Sequence, residues 1–177
     1  MGSPPPAASL RRRCHLKSLV DLDLPPMSIR AKEQVRLGKA RYCRYLDTKR
    51  WAAFAELFGT NTIARIVDPN GTPVAEFASS IDFVAATRQF LEKAQSIHQV
   101  HNDELTMNSD DEISAIWSME DYIVFPSAEI GPARVHGYGH YHETWIRTAD
   151  KWRITRLELR RTILETTPLN TFARHAS

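Results

Sequence analysis

The chain has 177 residues, 42% hydrophobic and 25% charged, which fits one ordinary globular domain able to bury a core without staples. Its formal net charge of +2 reflects Lys and Arg balanced by Asp and Glu along the whole length, which argues against nucleic acid or another polyanion as partner. Two cysteines, Cys14 and Cys43, fit no disulfide framework or zinc spacing, and no apolar run reaches the length of a membrane span; free thiols, a reducing compartment and a cytoplasmic location are expected.

Residues 1–26 carry Pro4-Pro5-Pro6, Arg11-Arg12-Arg13 and Pro25-Pro26. They read as a flexible leader without the continuous apolar segment of a secretory signal. The folded domain is expected over 27–166, with a tail at 167–177. From Ser28 to Leu46 no proline interrupts the chain, and Val35, Gly38, Tyr42 and Tyr45/Leu46 fall on one helical face, so Tyr42 points inward. Asp47-Thr48 breaks the pattern and offers an N-cap for a second helix with Trp51, Phe54, Ala55 and Phe58 inside. Asn61–Val67 has strand chemistry, Asp68-Pro69-Asn70-Gly71 is a turn, and Pro73 to Phe77 completes a hairpin. Ser79-Ser80-Ile81-Asp82 is a capping box opening a third helix with Phe83, Val84, Phe90 and Leu91 on its apolar side.

Beyond about residue 95 the character changes to four alternating or β-branched segments near 97–108, 112–126, 134–148 and 151–165. Asn108-Ser109-Asp110-Asp111 and Thr148-Ala149-Asp150-Lys151 are tight turns between them, and Pro126 to Pro132 is a longer loop. Helices first and a meander of long strands last predict an α+β domain, its helices covering one face of a curved antiparallel sheet around a cavity. There is no internal repeat and no phosphate-binding glycine loop.

Two residues break the apolar stripes. Ile113, Ala115, Trp117, Met119, Asp121, Ile123 and Phe125 share the buried face of one strand, so Asp121 needs a partner, and a histidine one strand away at 98 is a candidate. On the last strand Leu157, Leu159, Arg161 and Ile163 share a face, which places a cation inward. Opposite charges on inward faces are either a structural ion pair or the polar part of a mostly apolar pocket. Alone, His98 is equally a core imidazole, Asp47 a routine N-cap, and Tyr42 a core ring whose hydroxyl reaches the surface. His136, His140 and His142 fall on one strand face and suggest metal, yet no further ligands are fixed, and a hydrated sheet face is the better account.

Four stretches together carry a family resemblance: Arg41–Trp51 with its Tyr-x4-Asp spacing, Ser96–His101, Trp117–Phe125, and the closing strand from Trp152 to Arg161. Over roughly 30–165 the chain resembles the SnoaL-like branch of the nuclear transport factor 2-like superfamily, most closely the bile acid 7α-dehydratases and more distantly scytalone dehydratase. The resemblance implies a cone-shaped, curved antiparallel sheet wrapped around N-terminal helices and an active site of Tyr42, Asp47, His98, Asp121 and Arg161. It implies a cofactor-independent lyase in which His98 is general base and then acid, Asp121 or Asp47 orients it, and Tyr42 donates to the substrate oxygen. Arg161 would hold Asp121 or anchor the substrate. Trp117, Met119 and His140 are expected at the substrate. No cofactor or metal is required by such chemistry. The histidine-rich segment departs from the bile acid enzymes, so a steroid is not implied; polyketides, terpenoids and other polycyclic metabolites are served by the same fold. An isomerase or cyclase would use the same base, and a ligand-binding or oligomerisation module would need none of it. The fold also implies a homodimer or homotrimer through the outer sheet face, with Tyr141 and Trp145, if exposed there, suited to the interface.

Overall fold

The computed structural model describes residues 26–125, 132–149 and 151–168. The expected leader, the loop after Pro126 and nearly all of the expected tail lie outside the described residues.

Helix α1 (Met27–Asp47) buries Ala31, Val35, Gly38, Lys39, Tyr42, Cys43 and Leu46 on one face. That is the stripe the apolar spacing predicts, with a lysine inserted in it. Helix α2 (Trp51–Ala55) is shorter than expected, and Phe58 belongs instead to strand β1 (Phe58–Val67). Its N-cap is Arg50, not Asp47, because α1 runs through Asp47 and directs that carboxylate elsewhere. β1 turns back through Asp68, whose Oδ1 accepts from the backbone N–H of Asn70 and Thr72, and through Gly71 at φ +83°. Strand β2 (Pro73–Phe77) completes the hairpin. Helix α3 (Ser80–Leu91) begins at the expected cap: Ser79 Oγ accepts from Asp82 N at 3.1 Å and donates to Asp82 Oδ2 at 2.7 Å.

The meander then fills the sheet with β3 (Gln95–Ser109), β4 (Glu112–Val124), β5 (Pro132–Thr148) and β6 (Lys151–Pro168). The last strand extends beyond the expected edge of the domain at 166. Strand order is β2-β1-β6-β5-β4-β3, antiparallel throughout except between β1 and β6. The parallel pair arises because α3 carries the chain from one edge of the sheet to the other before the meander returns. The result is a curved, unclosed six-stranded sheet with the helices against one face.

Burial along β4 alternates without a break from Glu112 to Val124, with every odd residue inside. β5 follows the same rule, and this places Tyr141 and Trp145 in the core (3% and 0% exposed) rather than on an outer interface. Odd residues of β5 pair across to odd residues of β4, Trp117 to Tyr141 and Ile113 to Trp145, so the two strands must share their inner face. Gly38 lets α1 close over that face, since a Cβ there would stand 2.8 Å from the Trp145 ring.

Candidate active site

Asp47 closes α1 facing the start of β3, and it is surrounded by donors from that strand. Its carboxylate accepts from His98 Nδ1 (2.6 Å), from the His98 backbone N–H (3.0 Å) and from Ser96 Oγ (3.0 Å). Lys49 Nζ in turn donates to Ser96 Oγ at 3.0 Å. An ionised carboxylate can only accept, so Nδ1 of His98 carries the hydrogen of that bond, and in the neutral ring the lone pair is on Nε2. His98 is buried and is among the residues that line a cavity of about 470 Å³.

The cavity lies between α1, α3, the β1–β2 hairpin and the inner face of the sheet. Its walls are largely apolar, supplied by Ile66, Phe77, Phe83, Phe90, Leu91, Ile123 and Leu159. The polar groups among its lining are His98, Tyr42, Tyr141, Asp121 and Arg161, together with Thr87. A mostly apolar cavity with a few convergent polar groups is the usual form of a small-molecule site.

Asp121 stands directly across from His98 in the β3–β4 register, yet its partner is Arg161. The pair is bidentate, Nη1 to Oδ1 at 2.8 Å and Nη2 to Oδ2 at 2.6 Å, with the Asp121 side chain 2% exposed. Burial pulls the Arg161 pKa down, but the hydrogen bonds and charge of Asp121 outweigh it and hold the group above the ordinary arginine value. Room for the fork comes from Gly137, opposite Asp121 on β5: a Cβ there would lie 2.0 Å from Arg161 Nη1 and 2.7 Å from Asp121 Oδ1. Gly139 is equally constrained, its Cβ position lying 2.1 Å from the Arg160 carbonyl oxygen.

Tyr42 and Tyr141 meet at 5.7 Å between ring centroids, inclined at 69°. Burial pushes both phenols well above their ordinary value, with the charge of Asp121 adding to the effect at Tyr141. Both are therefore protonated donors at neutral pH. Tyr141 was not among the candidates from sequence; the signal was its odd position on β5, obscured by the histidines and glycines around it.

A second charged pair lies behind the tyrosines. Lys39 Nζ meets Glu143 Oε1 at 2.5 Å, with both side chains fully buried. Glu143 Oε2 accepts from Trp117 Nε1 (2.9 Å) and Trp145 Nε1 (2.8 Å). Lys39 could have been found from its place between Val35 and Tyr42 in the helical stripe, and Glu143 from its odd position.

Three expected contact residues stand off the cavity. Trp117 is committed to Glu143, and Met119 lies beneath Arg161, with Sδ 3.8 Å from Nη1; neither lines the cavity. His140 pairs with Ser118 and Arg160 on the outer face, where His136 also sits with Nε2 2.8 Å from Glu120 Oε1. Even residues of β5 point away from the helices, so these histidines cannot reach the cavity. Among the described residues no group of three or more His, Cys, Asp or Glu side chains converges to hold a metal ion.

A protein named "Probable cyclase FGR4" from Gibberella zeae is 29% identical over 133 residues, covering 72% of this chain and 88% of that one. Among solved structures, a scytalone dehydratase-like protein from Novosphingobium aromaticivorans superposes with a TM-score of 0.69 at 15% identity, over 81% of this chain and 95% of its own. A hexachlorocyclohexane dehydrochlorinase, LinA type 2, superposes with a TM-score of 0.66 at 12% identity, over 85% and 98%. At such identities these two structures establish likeness of fold. The model of the SnoaL-like domain matches residues 27–158, the helices and most of the sheet that frame the cavity, and the chain belongs to that family.

Proposed function

We propose that the protein is a cofactor-independent lyase that eliminates water from a hydrophobic, oxygenated polycyclic or aromatic-type metabolite. The observation that carries this reading is the Asp47–His98 pair, which orients an imidazole in the wall of an apolar cavity shared with two protonated tyrosines. A substrate ring would pack against the aromatic and aliphatic wall. His98 Nε2 would remove a proton from carbon next to a carbonyl, and the C–H electron pair would pass toward that carbonyl oxygen. Tyr42 would donate its hydrogen bond to the oxygen as charge develops. The electrons then form the new C=C bond as the C–O bond at the neighbouring carbon breaks, and His98 returns its proton to the departing hydroxide, giving water. Asp47 supports the imidazolium between these steps. Asp121 and Arg161 already satisfy one another and serve to shape the polar end of the cavity. The family resemblance further supports association of copies through the outer sheet face as a dimer or trimer.

The relative named a cyclase favours a second reading in which the same base and tyrosine move a proton for ring closure or isomerisation, without loss of water. One screen separates the two. Wild type and His98→Ala are incubated with hydroxylated polycyclic compounds, and products are weighed by mass spectrometry. Loss of one water, abolished in the variant while ligand binding survives, is the expected result. A product of unchanged mass moves the assignment to cyclase or isomerase. Binding without turnover, equal in both proteins, overturns the enzymatic reading and leaves a binding module.

A further inference from the structure

Lys39 has an unusual environment for an ammonium group. Its one hydrogen-bond acceptor among the described residues is Glu143, and its charge otherwise rests on aromatic faces: Nζ is 3.4 Å from the Tyr141 ring centroid and 3.9 Å from that of Tyr42. A cation on a ring face is held by the negative face of the π system, and more firmly when water is excluded. Glu143 fixes the ammonium, and two indole N–H groups fix Glu143, so the cation has little freedom to leave the rings. Stability alone gives no reason for a charge here, since buried ion pairs are often replaced by apolar side chains at no loss. What the pair touches is the element the cavity shares with it, the two tyrosines.

We infer that Lys39 is a positioning residue: clamped by Glu143, it holds the Tyr42 and Tyr141 rings against each other where both line the cavity. The inference rests on the proposed role of the tyrosines as donors to substrate oxygen. Other charged or titratable groups face the pair, namely Glu143 from β5, Asp121 from β4, Arg161 from β6 and Cys43 from α1. Of these, Glu143 and Asp121 act against phenol ionisation and Arg161 acts for it. Lys39 is thus set between the carboxylate that anchors it and the rings it orders.

The test removes both charges at once, with Lys39→Met combined with Glu143→Gln, so that no unpaired ion is buried and the indoles retain an acceptor. Tyrosine is labelled with carbon-13 in the ring, and the resonances of residues 42 and 141 are assigned with Tyr42→Phe and Tyr141→Phe. The expected result is a folded double variant whose Tyr42 and Tyr141 resonances move and whose rings flip faster. On a substrate from the screen, kcat falls by roughly tenfold to a hundredfold while KM changes little. Wild-type tyrosine resonances in the double variant overturn the inference, as does a wild-type kcat beside moved resonances. A second measurement needs no variant: the Lys39 ε-protons of the wild type are shifted upfield by the two ring currents, and unshifted protons also overturn it. Since the tyrosine and lysine signals require no turnover, they decide the inference even if no compound is dehydrated and the lyase reading itself fails.

Discussion

The inner face of the sheet carries two buried ion pairs built on opposite plans. Asp121–Arg161 uses a planar fork that satisfies both carboxylate oxygens, and it borders the cavity with Arg161 11% exposed. Lys39–Glu143 uses a point charge that satisfies one oxygen, leaves the other to two indoles, and is sealed from solvent at 0% exposure on both sides. The difference follows from the inward residues of β5. After Ala133 and Val135 they read Gly137, Gly139, Tyr141, Glu143 and Trp145, so from mid-strand onward the face runs from no side chains to the largest. The glycine end admits a guanidinium and borders the cavity, and the tryptophan end is filled. Tyr141 and its partner Tyr42 stand at the transition, touching both regimes.

Breaking the sealed pair on one side has the largest expected effect. Glu143→Ala strands the Lys39 ammonium and two indole N–H groups away from water, so a loss of about 3–5 kcal/mol is expected. In a chain of this size that corresponds to a fall of roughly 6–20 °C in the melting temperature. A shift of only a degree or two in a thermal melt would mean that water reaches Lys39, and the contrast between a sealed and an open pair would be lost.

Alkaline pH tests the same sealed region without mutation. Burial pushes the Cys43 thiol from 9.0 up to about 11, and it raises the Tyr42 and Tyr141 phenols as well. All three groups hold their protons more tightly folded than unfolded. Below pH 9 neither state has lost the thiol proton and the contribution to stability is constant. Between pH 9 and about 11 the unfolded chain ionises first, so stability falls as pH rises. For the thiol alone the loss amounts to about 2–3 kcal/mol by the upper end of that window. Denaturant titrations in 0.5-unit steps from roughly pH 8 to 11 should show that slope, and Cys43→Ala should reduce it. A slope unchanged by the substitution would remove the thiol from the account.

How far these features were legible in the sequence depends on what surrounds each residue. Asp121 and Arg161 stood out because their neighbours two residues away are apolar, and alternation exposes a single misfit. The same strands gave the α+β order and the inward face of β4. Lys39 escaped because Lys is common on helices and its stripe contains a glycine, which weakens the apolar pattern. Glu143 escaped because β5 alternates small, polar and aromatic residues on both faces, so neither face looks like a core. That also made Tyr141 and Trp145 look like outer-face residues. Asp47 was read partly as an N-cap for the second helix, since capping and binding a distant histidine draw on the same carboxylate lone pairs and sequence records only the residue type. The partner of Asp121 stayed open between His98 and Arg161, because sequence cannot say that a glycine opposite it admits a guanidinium.

That glycine is the point at which the open pair can be tested by itself. Gly137→Ala places a methyl group where Arg161 Nη1 and Asp121 Oδ1 now lie. The guanidinium must swing away, so a cost of roughly 1–3 kcal/mol is expected from overpacking and a weakened pair. Displacing a polar group at the cavity should lower turnover more than it lowers the melting temperature, by roughly a hundredfold if the pair shapes the site. Equal, small effects on both would make Asp121–Arg161 a structural pair that merely borders the cavity.

The smallest effect is expected on the other side of the sheet, and it decides whether the two faces are functionally separate. His140 projects outward between Ser118 and Arg160, an alternation away from Tyr141 and the cavity. Because a strand side chain cannot cross to the other face without shifting the register of the whole strand, His140→Ala should leave the cavity groups in place. A stability change within about 0.5 kcal/mol is expected, with turnover near that of wild type. If copies associate through this outer face, light scattering should show the loss there, in the oligomer, while turnover per chain persists. A tenfold drop in kcat with the oligomer intact would mean that the outer face communicates with His98 and Tyr42 through the sheet, and the division between a chemical inner face and a structural outer face would fail.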